Sequence, residues 1–468
     1  MNIKNTQSTM NRRNVLKGLT AGMVAATAGP TLFPARLWGA SATGDRLNIA
    51  LVGCGGRGRS DLLEALGCRT NLIALCDVDQ TRIQVAREDV AKRSPKLKDA
   101  AESARGYSDY RELLQKEKTL DGVIIAIGPW WHAPMSTAFI NSGKHVYCEK
   151  PLTHTIAETR KLGELARNSR VATQMGTQGV ASEPFRRAVE VARTGILGKI
   201  KEIHAWNICY PLRPVSCVRP EGADPIPSTF DWDMWQGPAA ERPYKAKVYQ
   251  PGCMTTAMWL DYGMGLIGDF GVHTWQLPIR AFNLGYPLRV EHNIPEAVKE
   301  TYVSNAKIRY DFPGGITGWY YDTVNRPPEG LIAELLPTFG EFQKVGALTV
   351  AENGLMFSGG WSSDCYLKLK GDEKFRGIGK HPAVEAIAKT EPRSPGSHIK
   401  EWVEAALAGT KTYQSFEMAT RSMEIILPSL VSLRMQRAID WDGANMKVPG
   451  CPEADRYIHA DYRKKCLI

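Results

Sequence analysis

The stretch "LNIALVGCGGRGRSDLLEAL", residues 47–66, decides the fold. Leu47 to Val52 form a continuous apolar run, the mark of a strand buried on both faces. Glycines follow at once, and after them a helical pattern begins. Gly53, Gly55 and Gly58 spell G-x-G-x-x-G. Alone the pattern is weak. Here it follows a strand, opens a helix and precedes a second apolar run, "NLIALCD" (71–77), that ends in Asp77. That is the context of a dinucleotide fingerprint. The glycines permit a tight turn and close approach of backbone amides to a pyrophosphate, with Arg57 beside them. The helix N-terminus adds partial positive charge. Asp77 is placed to accept hydrogen bonds from an adenosine ribose, which points to NAD. Arg57 and Arg59 keep NADP open as the alternative, since an arginine can hold a 2′-phosphate.

Apolar strands and helices continue to alternate downstream. "LDGVIIAIG" (120–128) and "KHVYCEKP" (144–151) read as two more strands, separated by the helix "APMSTAFINSG". Asp109 with Glu112, and Thr155 with Glu158, stand at capping-box spacing. Alternation of this kind predicts a parallel sheet with ligands bound beyond the carboxyl ends of its strands. Gly53, Asp77, Ile127, Gly128, Glu149 and Lys150 all fall at such ends. Ile127 and His132, in the loop "AIGPWWHAP", are expected to contact a cofactor, although His132 reads equally well as a capping or loop histidine. Glu149 and Lys150 stand before Pro151. A strand ending in two opposite charges and a proline is poor packing material, but it can aim a lysine from a stiff junction. A cis Lys150–Pro151 bond is expected there.

After residue 171 the style changes. "KIKEIHAWNICY" and "NAKIRYDFPGGITGWYYDT" carry aromatic and β-branched residues around a Pro-Gly-Gly turn, with few helices between the strands. The reading is a leader over 1–42, a Rossmann NAD(P)-binding domain over 43–170, and an α+β domain over 171–468 with an open, mainly antiparallel sheet. The overall fold class is α/β. In "WLDYGMGLIGDFGVHTWQL" (259–277), Asp269 and His273 are spaced i, i+4. On an α-helix they share a face, where the carboxylate could orient the imidazole. On spacing alone the pair reads as a capping aspartate and a core histidine.

Composition limits the remaining choices. The chain has 468 residues and a formal charge of +10. Half of that excess lies in residues 1–42, where Lys4, Arg12, Arg13, Lys17 and Arg36 meet no acidic residue. The rest is spread along the chain, so no nucleic-acid partner is expected. Arg12–Arg13, a mildly apolar run and Ala40-Ser41-Ala42 resemble a twin-arginine export signal. The expectation is a periplasmic or secreted protein with no integral membrane segment once the signal is removed. The ten cysteines show no metal-like spacing, and no metal is expected.

Together these segments resemble the Gfo/Idh/MocA oxidoreductase family, in its exported branch. The shared features are the glycine fingerprint, the loop ending in His132, the E-K-P run and D-x-x-x-H. The resemblance implies a catalytic trio of Lys150, Asp269 and His273, with His273 as base, Asp269 orienting it and Lys150 stabilising alkoxide character. It also implies a tightly bound nicotinamide cofactor, a homo-oligomer, and a small carbohydrate substrate: a sugar, glycoside or cyclitol hydroxyl, with ring carbon three one candidate position. Trp130, Trp131, Trp206, Trp259 and Trp275 are candidates for stacking on sugar, and Arg213 and Arg219 for binding hydroxyls. Gln276 stands where many relatives carry an aspartate, which puts recognition of the substrate hydroxyls in question. The rival readings are an NAD-dependent glycosidase or lyase working through transient oxidation, and a non-catalytic nucleotide sensor. Glycosidase members usually lack the E-K-P lysine, which this chain has.

Overall fold

The computed structural model describes residues 45–209, 217–249, 256–295 and 298–463. The leader features and Arg213 lie outside the described residues.

The first sheet comprises β1 (Leu47–Val52), β2 (Thr70–Cys76), β3 (Arg105–Tyr107), β4 (Gly122–Ile125), β5 (His145–Glu149) and β6 (Thr173–Gly176). Its order is β3-β2-β1-β4-β5-β6, and every neighbouring pair is parallel. Strand order reverses between β1 and β4, so the crevice opens at their carboxyl ends. The connecting helices start where side chains can satisfy their first amides. Asp79 caps Gln80–Arg93, and Thr155 and Glu158 close a full capping box on Ile156–Asn168.

The sequence reading ended this domain at residue 170, but the sheet's last strand lies beyond it at Thr173–Gly176. The far C-terminal part also returns to this domain. In helix His398–Ala408, Ile399, Trp402 and Val403 pack with Leu47, Ile49, Leu51 and Leu75. A parallel sheet must be covered on both faces, and this late helix supplies cover that residues 43–170 do not.

The second sheet comprises β7 (Ile200–Asn207), β8 (Arg289–His292), β9 (Lys307–Phe312), β10 (Ile316–Asp322), β11 (Val345–Ala351), β12 (Gly354–Gly359), β13 (Cys365–Leu369), β14 (Arg376–Gly377) and β15 (Ile439–Asp440). Its order is β14-β13-β12-β11-β7-β10-β9-β8-β15. β7 and β10 run parallel; β9 and β10 form the expected hairpin, with Gly314 and Gly315 at φ +79° and +76°.

A strap from this second part crosses back over the first. Asp79 and Phe230 form a β-bridge. Gln80 N donates to Thr229 O at 3.1 Å, and Asp231 N donates to Val78 O at 2.9 Å. Farther along, the indole N–H groups of Trp130 and Trp131 donate to Trp235 O (3.1 Å) and Met234 O (3.0 Å). Residues 229–236 therefore bridge the lips of the crevice at both ends.

Candidate active site

The glycine loop has the shape its sequence demands. Gly53 sits at φ +92°, and a Cβ there would lie 2.3 Å from Ala126 O. A Cβ on Gly58 would lie 2.0 Å from Gly53 O. A Cβ on Gly56 would meet nothing within 4 Å, so that side faces open space. Helix Gly56–Leu66 starts here with no side chain capping it, which leaves its first amides available to an anion. The crevice in front encloses about 390 Å³, and Gly53, Gly55, Arg57, Asp77, Ile127 and Glu149 all line it.

Asp77 has two tasks at the end of β2. Its carboxylate accepts from Cys54 N at 2.7 Å and from Asp79 N at 2.9 Å, which ties the glycine loop to the crevice rim. Burial pushes its pKa up, against the pull of those donors. Each oxygen still has a lone pair for a ribose hydroxyl. Arg57 pairs with Asp61 and Glu149, and Arg59 with Asp89. The arginine beside Gly55 is instead Arg82, whose guanidinium lies 3.1 Å from where a Gly55 Cβ would sit. The sequence reading missed it, although it lies in the first turn of the helix that follows Asp77.

His132 corrects an expectation. It is fully buried and does not line the crevice. Its Nδ1 lies 2.7 Å from Pro151 O and its Nε2 3.1 Å from Ile127 O. It braces the two loops that carry Ile127 and Lys150. Position 132 shares a helix face with the buried Met135 and Ser136, so the ring turns inward. Burial lowers its pKa to about 4, so the ring is neutral and its single N–H donates to one of the two carbonyls while the other is held in close contact.

The Lys150–Pro151 bond is cis, as the sequence reading expected. Lys150 lines the crevice, and its Nζ donates to Asp269 Oδ1 at 2.7 Å and to Asp269 O at 3.2 Å. Glu149, next door, accepts from Gln178 Nε2 at 2.7 Å and from Arg57.

The D-x-x-x-H segment departs from its expected geometry. Ile267–Gly271 forms a π-helical turn, followed by a short α turn at Val272–Thr274. The i, i+4 stacking rule belongs to the α-helix. In the wider turn Asp269 reaches Lys150 rather than the imidazole. Its Oδ2 and His273 Nδ1 are both buried and without a hydrogen-bond partner. His273 lies behind the crevice lining, 4.7 Å from the Trp361 ring, and Ser362 Oγ donates to its backbone carbonyl. Burial first, then the charges of Lys150 and Arg57, push its pKa well below 6.5. The ring is neutral at physiological pH.

The five tryptophans singled out in the sequence are all buried. Trp130 and Trp131 line the crevice, whereas Trp206 and Trp275 are wholly internal. Arg219 is spent on Asp261 and Glu300 and on the Tyr249 hydroxyl. Gln276 is buried and bonded to Val272 O and Gln414, away from the crevice. Missed by the sequence reading were Trp235 and Tyr249, which line the crevice, and Trp361, which is half exposed. Among the described residues, no group of three or more His, Cys, Asp or Glu could hold a metal ion. No helix among them is long and apolar enough to cross a membrane.

A parallel sheet with a glycine-lined crevice at its switch point, roofed by a second sheet domain, defines a dinucleotide-binding oxidoreductase fold. Residues 47–177 match the profile of the "Oxidoreductase family, NAD-binding Rossmann fold", and residues 217–319 match the "Oxidoreductase family, C-terminal alpha/beta domain". The chain belongs to the Gfo/Idh/MocA oxidoreductase family, and its first domain is that family's NAD-binding Rossmann fold. Over 207 residues it is 30% identical to "Glycosyl hydrolase family 109 protein 1" of Shewanella sp. strain ANA-3. That match covers 41% of this chain and 44% of the relative, under half the relative's length. Among solved structures, levoglucosan dehydrogenase in complex with NADH and levoglucosan superimposes with a TM-score of 0.54 at 16% identity, covering 84% of this chain and 99% of that one. Aldose-aldose oxidoreductase from Caulobacter crescentus, complexed with glycerol, gives 0.54 at 14% identity, covering 84% and 99%. At these identities the likeness is one of fold.

Proposed function

We propose that the protein is an exported, NAD-dependent oxidoreductase that moves hydride between a sugar, glycoside or cyclitol hydroxyl and a tightly held cofactor. The observation that carries this reading is the Lys150–Asp269 pair at the inner end of the glycine-lined crevice. When bound, NAD supplies the hydride acceptor. The residues supply the rest. Lys150 holds the reacting oxygen and stabilises negative charge as it develops there. Asp269 fixes the ammonium in position. His273, held neutral, takes the hydroxyl proton. The alcohol carbon gives up a hydride, its oxygen gives up a proton, and the C–O bond becomes a carbonyl. The strap over 229–236, which bonds to both lips of the crevice and lines it through Phe230, Met234 and Trp235, supports tight cofactor retention. A homo-oligomer built through the second domain belongs to the same proposal.

The likeness to a protein named as a glycosyl hydrolase favours a second reading, in which oxidation is transient and hydride returns after a glycosidic leaving group departs. A retained cofactor suits that cycle too. The test is to incubate NAD-loaded protein with a panel of sugars and glycosides, following absorbance at 340 nm together with product masses. Stoichiometric NADH with a ketosugar product supports the dehydrogenase. Cleaved glycoside with no net NADH supports the second reading. Silence across the panel removes both.

A further inference from the structure

Among the tryptophans of the described residues, Trp361 stands out by its exposure. Some 51% of its surface is open, while the five that the sequence brought forward are buried. A lone exposed aromatic is ordinary on a protein surface, but this one is fixed in place. It sits in the turn between β12 and β13, where Ser362 adopts φ +58°, a conformation uncommon for a residue with a side chain. The Ser362 hydroxyl is buried and donates to His273 O at 2.7 Å. Ser182 Oγ donates to Ser363 O at 2.7 Å. Gly179 presses so close beneath that a Cβ there would fall 1.6 Å from Trp361 O. Three separate contacts thus pin the turn, one of them to the residue proposed as base.

The neighbours of the indole are equally specific. The His273 ring lies 4.7 Å away at 86°, and the Phe270 ring 6.0 Å away at 40°. The Lys150 Nζ lies 5.5 Å from the centroid of that same Phe270 ring. The ammonium, the phenyl ring, the imidazole and the open indole therefore form one continuous chain of contacts, in which Phe270 and His273 are buried between the partly open Lys150 and the half-exposed Trp361. His273 Nδ1 within it is buried and lacks a hydrogen-bond partner. An open aromatic platform beside convergent polar groups suits a ligand with one apolar face and a ring of hydroxyls.

We propose that Trp361 is the stacking platform for the substrate's pyranose ring, holding its C–H face while a ring hydroxyl reaches His273 and Lys150. This rests on the carbohydrate reading above. It narrows the substrate class to pyranoses and their glycosides, in preference to open-chain polyols, which have no flat face to offer.

The test uses NAD-loaded full-length protein labelled with 5-fluorotryptophan. The fluorine resonance absent from Trp361→Phe is assigned to position 361. Methyl glucopyranosides and galactopyranosides, both anomers, are then titrated, with sorbitol as the open-chain comparison. The expected result is that a turned-over pyranoside moves this resonance and sorbitol does not. Trp361→Ala should raise KM about tenfold, the effect of losing one aromatic contact, with NADH affinity unchanged and Trp361→Phe recovering most of the loss. Should Trp361→Ala fail to fold, the resonance titration on the unsubstituted chain still decides. A silent resonance during normal turnover overturns the inference, and so does one that moves on dilution rather than with sugar, which would mean that a second copy of the chain covers the indole. Absence of turnover and of any indole response across the whole panel is a different failure, that of the carbohydrate reading itself.

Discussion

The Lys150 ammonium and the Asp269 carboxylate meet at 2.7 Å across the joint between the two domains. One comes from the end of β5, just before a proline, in the nucleotide-binding part, the other from a π-helical turn in the sheet domain. The pair lies largely out of solvent, with side-chain exposures of 17% and 7%. Removing one partner of such a pair leaves a buried charge unmatched, so each residue also affects how well the two domains hold together.

Lys150→Met keeps the length of the side chain and removes the charge. Hydride transfer should fall by about 10²–10³, the usual loss on removing one electrostatic stabiliser of a developing oxyanion. NADH affinity, read by fluorescence titration, should stay within about threefold, because the glycine loop and Asp77 are untouched. If turnover survives in Lys150→Met, the reacting oxygen is held elsewhere.

His273 as base makes its own demand. The base must be neutral, and burial with Lys150 and Arg57 nearby drives its pKa well below 6.5. Activity is lost only as pH falls through that depressed value. kcat/KM should therefore be level between pH 8 and pH 6.5, without the acid limb an ordinary histidine would show. A limb centred near 6.5 would mean that a more exposed group carries the proton.

The first domain was legible because its signals are local. Gly53, Gly55, Gly58 and Asp77 are each dictated by backbone or end-of-strand geometry, and Thr155 with Glu158 reads directly as a cap. What failed to show in the sequence depended on distant packing. The i, i+4 spacing of Asp269 and His273 presumed an α-helix, and no pattern in "GLIGDFGVH" announces the π turn that sends the carboxylate to Lys150. His132 looked like a loop residue because its partners, Ile127 O and Pro151 O, are backbone atoms brought together only by the sheet. β6 begins just past the boundary read at residue 170, and the helix His398–Ala408 covers the sheet from more than two hundred residues away. Trp361 sits in a turn whose neighbours, His273 and Gly179, come from two other segments.

His132→Ala tests the brace. It leaves a cavity and strands the one carbonyl that the neutral ring's N–H serves, which should cost about 1–3 kcal/mol in urea unfolding. Because the loops it ties carry Ile127 and Lys150, NADH affinity should weaken as well. The acid side supplies a second readout. The native ring is held near pKa 4 against 6.5 for an ordinary histidine. Its contribution is fully present above 6.5 and is lost as pH falls toward 4, where the unfolded chain binds the proton and the native one does not. The variant should lose less stability than the parent over that interval.

Asp61 supplies the opposite sign. It is fully buried on the helix that begins at Gly56, paired with Arg57, and one of its oxygens has no hydrogen-bond partner. Burial, then the charge of Glu149, raises its pKa to about 9 against the pull of Arg57. A carboxyl with a raised folded pKa contributes most below the unfolded value of 3.8, and that contribution drains away as pH rises toward 9. Asp61→Asn keeps the shape and removes the titration. Measured by urea unfolding at pH 5, 7 and 9, the variant should gain on the parent at each step upward. An equal deficit at all three values would mean that Asp61 is ionised throughout and that Arg57 alone sets its state.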